Sequence, residues 1–240
     1  MFRSLFATTV LAIASAAAQA PDPVQIMKGA RIAATLEKND LAGNLIKDGK
    51  KTPVSLFLRN ENIQFAFQEG GAAQHFHLRL GEGKYDLFDV APDNKTTIFP
   101  AEKLVKPIAG TDLTYEDLSL QFFYWPDPKL EGIEPVGGEN CYKIRLDKPK
   151  GSGGRYEVVY VWVHAKQGAF MQVCGFNKAG GMVKKFHVDE IMQVGGGVYT
   201  LHKMTISTMN PATNPARVVS ETTLIFDKPT SAAPSGLKKK

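Results

Sequence analysis

Apolar and polar residues alternate with a period of two through most of this chain, and that alternation limits the folds open to it. In two successive runs, NIQFAFQ (62–68) and QHFHLRL (74–80), every second residue is a bulky apolar one. Those six residues are Ile63, Phe65, Phe67, Phe76, Leu78 and Leu80. Successive side chains of a β-strand point to opposite faces, so both runs predict strands with one buried face.

Runs of the same kind recur at short and even spacing, with glycine-rich turns between them. They include YDLFDV (85–90), which contains Leu87, and CYKIRLD (141–147), in which Tyr142 and Ile144 share a face. The run YEVVYVWVH (156–164) is apolar on both faces and contains Trp162. Short strands joined by such turns are typical of antiparallel hairpins. We therefore predict a mainly β (α+β) protein with a long antiparallel meander of ten or eleven strands and two or three helices.

A meander of this length cannot stay flat with one wholly apolar face in water. We expect it to curl into an incomplete β-barrel, and its concave side to be filled or covered by segments outside the meander. Ile26–Asn39, IMKGARIAATLEKN, is one such segment and has apolar residues at roughly helical spacing. We predict an amphipathic helix there, with a small, alanine-rich face that suits close packing against a sheet.

The second covering segment is Pro107–Pro126, PIAGTDLTYEDLSLQFFYWP, which combines three carboxylates with five aromatic residues. Thr114 and Asp117 have the spacing of an N-cap and its N3 partner, so we predict a short capped helix that stops at Pro126. Its aromatic side chains would then face the sheet. An acid/base site of a secreted hydrolase, built on Glu116 and Asp117, is the alternative.

The two ends of the chain differ from the body between them. Residues 1–20 combine one early positive charge, an apolar run and a small-x-small site at AQA, so we predict a signal peptide cleaved after Ala20. Residues 229–240 are rich in Pro, Ser and Ala and end in three lysines, which predicts a disordered tail. Much of the net charge of +5 lies in these ends, and the body has interspersed signs that argue against nucleic-acid binding.

The familiar signatures of catalysis and cofactor binding are missing from the sequence. It contains no G-x-S-x-G, Walker loop, dinucleotide fingerprint or H-E-x-x-H. His75 and His77 have the H-x-H spacing of many metal sites, but no third ligand can be placed beside them, which favours a solvated strand face. Cys141 has no histidine that the pattern brings near it, which disfavours a thiol nucleophile. We predict no catalytic residue, no metal and no cofactor.

Cys141 and Cys174 are the two cysteines. Export would permit a disulfide between them. The predicted meander, however, places them two strands apart, about 10 Å, which exceeds the Cα separation that a disulfide tolerates. We expect two free thiols.

The segment PIAGTDLTYEDLSLQFFYWP, together with GGENCYKIRLDKP and YEVVYVWVHAKQGAFMQVCGFNKAGGMVKKFHV, resembles the outer-membrane lipoprotein-sorting protein family, whose fold is LolA-like. The resemblance covers roughly residues 24–228 and implies a single domain over residues 21–228. It implies a sheet curled around a hydrophobic cavity with helices as a lid. Family members of known role carry lipoproteins across the periplasm by sheltering their acyl chains, and other proteins of this fold are sensors of mislocalised lipoproteins.

We therefore expect a periplasmic carrier or chaperone, not an enzyme, that shelters lipoprotein acyl chains or another lipid for transfer to the outer membrane. A periplasmic sensor that binds mislocalised lipoproteins and regulates a partner protein is the alternative. Membrane-bound donor and acceptor proteins are the implied partners, and we expect a monomer. The candidate cavity residues are Ile63, Phe65, Phe67, Phe76, Leu78, Leu80, Leu87, Tyr142, Ile144 and Trp162. The candidate lid residues are Phe122, Phe123, Tyr124 and Trp125.

Overall fold

A computed structural model of the protein describes residues 20–35, 40–59, 62–69, 71–81, 84–195 and 198–228. The predicted signal peptide, apart from Ala20, and the predicted tail at 229–240 lie outside these residues. No helix in the described part of the chain has the length and apolarity that crossing a bilayer requires.

The described residues form two α-helices, two short 3₁₀ turns and thirteen β-strands. The helices are α1 (Pro23–Thr35) and α2 (Tyr115–Ser119), and the 3₁₀ turns span Ala101–Lys103 and Gln121–Tyr124. The strands are β1 (Asp40–Lys47), β2 (Lys50–Arg59), β3 (Asn62–Glu69), β4 (Ala72–Gly81), β5 (Lys84–Val90), β6 (Thr96–Ile98), β7 (Lys129–Val136), β8 (Glu139–Asp147), β9 (Val158–His164), β10 (Phe170–Phe176), β11 (Met182–Gly195), β12 (Val198–Asn210) and β13 (Arg217–Phe226).

All thirteen strands of the described residues belong to one antiparallel sheet in the order β6-β5-β4-β3-β2-β1-β13-β12-β11-β10-β9-β8-β7. Consecutive strands are neighbours, except that β6 and β7 form the two opposite edges, and β1 also pairs with β13 at the centre of the sheet. The chain thus builds one wing from β1 out to β6, passes to the far edge at β7, and returns to the centre at β13. The connection between β6 and β7, residues 99–128, is called the crossing segment below.

The crossing segment lies over one face of the sheet, which we call the inner face. It buries Phe99, Ile108, Leu118 and Phe122 in the same apolar core as the inner side chains of the strands. Helix α1 adds its own face to this core, where Met27 is fully buried. The edge strands β6 and β7 do not pair with each other among the described residues, so the curled sheet stays open. The predicted mainly β, incomplete barrel with covering helices is confirmed.

The predicted number of strands, ten or eleven, was wrong: the described residues form thirteen. The short β6 and the polar β7, KLEGIEPV, lack a clean apolar alternation. Strand β7 also contains Pro135 and a register shift beside Gly132. Proline and bulges are tolerated at a sheet edge, where one side of the strand has no partner. Strands β6 and β7 are the two edge strands, so they are recognised by their hydrogen bonds to a neighbouring strand and not by their sequence pattern.

For α2, the predicted start is confirmed and the predicted end is wrong. Helix α1 begins at Pro23, three residues before its predicted start, and its predicted continuation over residues 36–39 lies outside the described residues. The capping box of α2 is confirmed, since the Asp117 N–H donates to Thr114 Oγ1 at 3.3 Å and the Thr114 N–H donates to Asp117 Oδ2 at 2.8 Å. Leu120 then adopts a left-handed φ of 48°, which ends α2 after five residues and starts a 3₁₀ turn.

Candidate functional site

A cavity of about 560 Å³ lies between the inner face of the central strands and the crossing segment. Its walls come from the strands on either side of the sheet centre, β1–β3 and β10–β13, and from the turn between β9 and β10. The sheet-side lining residues are Leu41, Leu45, Val54, Leu56, Ile63, Phe65, Phe67, Gln167, Ala169, Phe170, Met171, Val173, Phe186, Val188, Ile191, Tyr199, Thr200, Leu201, Met204, Leu224 and Phe226. The crossing segment contributes Leu113, Asp117, Leu118, Leu120, Phe122 and Phe123.

The cavity wall is almost entirely hydrocarbon. Among its described lining residues, polar side-chain groups come only from Asp117, Gln167, Thr200 and the hydroxyl of Tyr199. A cavity of this size and polarity is within the range of small-molecule sites, which are mostly apolar with a few placed polar groups.

The mouth of the cavity lies where strands β11 and β12 run beyond their neighbours. Strand β12 pairs with β13 only from Lys203 onward, so its first residues extend past the end of that strand. Ile191 and Tyr199 lie on this extension and line the cavity, yet they remain 46% and 60% exposed. A lining residue that is half in water marks an opening, so the cavity meets solvent at this end.

The roof of the cavity is the second half of the crossing segment, and helix α1 contacts this roof through Arg31. The Arg31 side chain donates from Nε to the backbone oxygen of Phe123 at 2.7 Å. Its guanidinium also lies 4.9 Å from the centre of the Tyr124 ring. Burial lowers the pKa of Arg31, and the nearby Tyr124 opposes that shift. These contacts fix the aromatic end of the roof to α1.

At the end away from the mouth, the Asp112 carboxylate fastens the crossing segment to three strands. Its Oδ1 accepts hydrogen bonds from Thr208 at 2.6 Å and Ser220 at 2.5 Å. Its Oδ2 accepts from Thr222 at 2.9 Å and lies 3.1 Å from Lys47 Nζ. Burial raises the pKa of Asp112, but these hydrogen bonds outweigh burial and hold the pKa below its ordinary value.

Asp117, five residues further along the chain and inside α2, is held in the same way from the loop before β9. The Tyr156 hydroxyl donates to its Oδ1 at 2.5 Å, and Arg155 Nη2 lies 3.5 Å from its Oδ2. Lys184, fully buried on β11, reaches the backbone oxygen of Asp112 and lies 3.9 Å from Asp117 Oδ2. Burial raises the pKa of Tyr156 well above its ordinary value and lowers that of Lys184. Buried charges are stable only with such partners.

Glu116 completes this buried network on the other side of α2. Its Oε1 and Oε2 accept from the backbone N–H of Arg155 at 3.0 and 3.1 Å, and Gln121 donates to Oε1 at 3.5 Å. The backbone of Gly154 passes so close that a Cβ atom there would lie 1.9 Å from Glu116 Oε1. Burial raises the pKa of Glu116, and the backbone hydrogen bond from Arg155 partly offsets this effect.

These interactions give the three carboxylates of the crossing segment a structural role. Asp112, Glu116 and Asp117, the cations Lys47, Arg155 and Lys184, and Tyr156 form one set, which we call the buried anchor. Three negative and three positive side chains balance within it, and its contacts join the crossing segment to β1, β11, β12, β13 and the loop before β9. Glu116 and Asp117 are buried and hydrogen-bonded on both oxygens, unlike carboxylates that await a substrate.

The cavity wall brings together five of the candidate residues from the sequence. Ile63, Phe65 and Phe67 line it from β3, and Phe122 and Phe123 line it from the roof. Whether they contact a ligand remains a prediction.

The other candidates lie beside the cavity or away from it. Phe76, Leu78, Leu87, Ile144 and Trp125 are buried in the apolar core, and Tyr142 and Tyr124 pack partly buried against it. The side chain of Leu80 lies outside the described residues. Trp162 belongs to a small cluster on the outer face of the sheet, with Val136, Cys141 and Cys174. Its indole Nε1 donates to Glu134 Oε2 at 2.9 Å.

Much of the wall was not named from the sequence, because it comes from strands whose inward faces were left unassigned. The alternation in KKFHV puts Phe186 and Val188 on one face of β11, and that in TLIF does the same for Leu224 and Phe226 on β13. Those patterns indicated a buried face. They could not indicate which buried strands the crossing segment leaves uncovered.

The remaining sequence candidates for chemistry have ordinary surroundings. Cys141 and Cys174 are free, buried thiols, and burial raises the pKa of Cys174 to about 12. His77 Nε2 lies 3.0 Å from Asn62 Oδ1, on the strand beside it. Within the described residues, no group of three or more His, Cys, Asp or Glu side chains is placed to hold a metal ion.

Comparison with known sequences gives one family. A family model described as "uncharacterized protein"-like matches residues 78–232, which is more than half of the chain. No curated protein matches the sequence.

Comparison with solved structures gives chains of the same fold at low identity. A DUF1329 family protein from Desulfovibrio piger is 16% identical, with a TM-score of 0.64 over 89% of this chain and 95% of its own. A putative outer membrane lipoprotein-sorting protein domain from Vibrio parahaemolyticus is 14% identical, with a TM-score of 0.65 over 86% and 90%. A LolA superfamily protein from Nitrosomonas europaea is 14% identical, with a TM-score of 0.62 over 87% and 93%.

Proposed function

The chain belongs to the "uncharacterized protein"-like family whose model it matches and has a LolA-like fold, and from this premise we propose that it is a lipid carrier. In this proposal the protein works in the periplasm after loss of residues 1–20. It shelters the acyl chains of a lipoprotein or of another lipid on the way to the outer membrane, and it catalyses no reaction.

The observation that carries the proposal is the apolar cavity with its half-exposed mouth. Each methylene group that leaves water gains about 0.8 kcal/mol, so an acyl chain in a hydrocarbon-lined cavity is held without covalent chemistry. An open mouth lets the polar head of the ligand stay in water. The buried anchor also supports the proposal, because it fixes the roof to the strands and so keeps the cavity from closing or filling with water.

Binding of a fluorescent fatty-acid analogue to the purified protein tests the proposal. Leu201 lines the cavity near the mouth and is half-buried. The Leu201→Asp variant would place a carboxylate against the acyl chain, and a charge facing hydrocarbon without a partner is strongly unfavourable. We expect at least tenfold weaker binding, which corresponds to about 1.4 kcal/mol.

The matched control is Val219→Asp, which makes a similar change on β13 at a side chain that is 64% exposed. Val219 alternates with the inward-facing Ser220, so it points away from the cavity. This variant should bind like the wild type. Equal binding by both folded variants, or no binding by the wild type, would count against the cavity as a lipid site.

A further inference from the structure

The cavity occupies only the central part of the inner face, because the wing formed by β4–β6 is filled by aromatic side chains. Phe76 on β4 lies 5.7 Å from Phe99 and 5.0 Å from Tyr115, measured between ring centroids. Phe99 and Tyr115 are 4.6 Å apart. Both belong to the crossing segment, so its part from Phe99 to Tyr115 closes this wing against the sheet.

The opposite wing is closed in the same way. Phe122 of the roof lies 6.2 Å from Tyr156, and Phe123 lies 5.6 Å from Phe170 on β10. Ile144 and Leu146 on β8 are fully buried beneath this region. In the part of the chain that the structure describes, the inner face therefore leaves a ligand mainly the central channel, although the sheet itself is thirteen strands wide.

The roof is also fixed in height. The buried anchor ties it to β1, β11, β12 and β13 through Asp112 and its partners. Lifting the roof would separate buried ion pairs, which is strongly unfavourable when one partner is left without the other. The anchor thus opposes expansion of the cavity beyond the volume seen in the structure.

That volume sets a capacity. A 150 Å³ apolar cavity accepts one benzene ring, which is about 25 Å³ per carbon atom. The cavity of about 560 Å³ then accepts about 20 carbon atoms. This is one long acyl chain, whereas the chains of a triacylated lipoprotein need roughly three times the space.

Resting on the proposed function, we propose that the cargo is a lipid with a single long acyl chain, of the fatty acid or lysophospholipid class. The chain inserts through the mouth toward Asp117. The head group stays at the rim, beside Gln167, Tyr199 and Thr200. These three described rim residues carry neutral hydrogen-bonding side chains, so they suit a polar head without selecting a charge.

Displacement of the fluorescent fatty-acid analogue measures the capacity. Competitors are saturated fatty acids of increasing length, a lysophospholipid, a diacyl phospholipid and a triacylated lipopeptide, each below its aggregation concentration. Affinity should rise about fourfold per added methylene and level off once the chain reaches about 20 carbons. The single-chain lipids should bind at a ratio of one per protein, and the diacyl and triacyl lipids should bind more weakly.

Ala169→Leu provides the structural control for capacity. Ala169 is half-buried and lines the cavity, so the variant adds three carbon atoms to the wall without entering the closed core. The length at which affinity levels off should shorten by about three carbons. Affinity for the triacylated lipopeptide equal to that for the best fatty acid would overturn the single-chain assignment while leaving lipid carriage intact. Failure of every lipid to bind would overturn both.

Discussion

Replacing Tyr156 by phenylalanine removes one hydroxyl group from the buried anchor and leaves the ring in place. The hydroxyl donates to Asp117 Oδ1 at 2.5 Å and accepts from Arg155 Nη2 at 3.1 Å. Asp117 is buried, so no water replaces the lost donor. The ring still packs against Phe122, which lies 6.2 Å away. The variant therefore tests the hydrogen bonds of the anchor separately from its packing.

The expected loss follows from the charge on the acceptor. A hydrogen bond to a charged group contributes about 1.5–3 kcal/mol, and a buried acceptor that loses its donor costs a similar amount. For a domain of this size, 1 kcal/mol lowers Tm by about 2–4 °C. We expect Tyr156→Phe to lower Tm by about 4–8 °C at neutral pH.

Thermal unfolding followed by circular dichroism measures this shift, with Tyr160→Phe as the matched control. Tyr160 lies on β9 with its hydroxyl 3.2 Å from Arg145 Nη1, and it is half-buried, so water can replace the lost contact. The control should stay within about 0.5 kcal/mol of the wild type. A Tm for Tyr156→Phe that matches the control would refute the reasoning that the anchor holds the roof.

Two further predictions concern the same anchor. Gly154→Ala should destabilise the fold by about 3 kcal/mol, because Gly154 has a φ of +88° and the new Cβ would displace the Glu116 carboxylate. Gly153→Ala is the control and should leave the stability unchanged, since open space surrounds Gly153. Urea unfolding measures the free energy of unfolding of both variants. The pKa of Asp112 is lower in the folded than in the unfolded protein, so the unfolded state binds more protons below about pH 4. The stability that Asp112 contributes is present above that pH and is lost as the pH falls through the folded-state pKa. The Tm gap between the wild type and Asp112→Asn should therefore narrow from pH 6 to pH 3, and a constant gap would contradict the assignment.

The sheet was predictable because its alternation is local information. A period of two identifies a strand and its buried face without knowledge of its neighbours, and the inward side chains of β3 were assigned in this way. The start of α2 was predictable for the same reason, since the capping box joins Thr114 and Asp117 within three residues. Strands β6 and β7 were missed because edge strands are defined by pairing, and pairing is not local.

The site was less predictable because it depends on long-range placement. Asp112 meets Ser220 and Thr222, more than a hundred residues away in the sequence. No periodicity links these residues. Trp162 illustrates the same limit: β9 is apolar on both faces, so the pattern could not show that Val161 faces the core and Trp162 the outer cluster.

If the cavity holds one acyl chain, native mass spectrometry of the protein purified from its own host should detect it bound. We expect a population whose added mass equals one single-chain lipid per protein, lost on delipidation and restored by adding that lipid. Leu201→Asp should carry little of it, and Val219→Asp should carry as much as the wild type. An added mass that corresponds to a triacylated lipoprotein, or a wild type that neither carries nor takes up any lipid, would show that the cavity does not hold a single acyl chain.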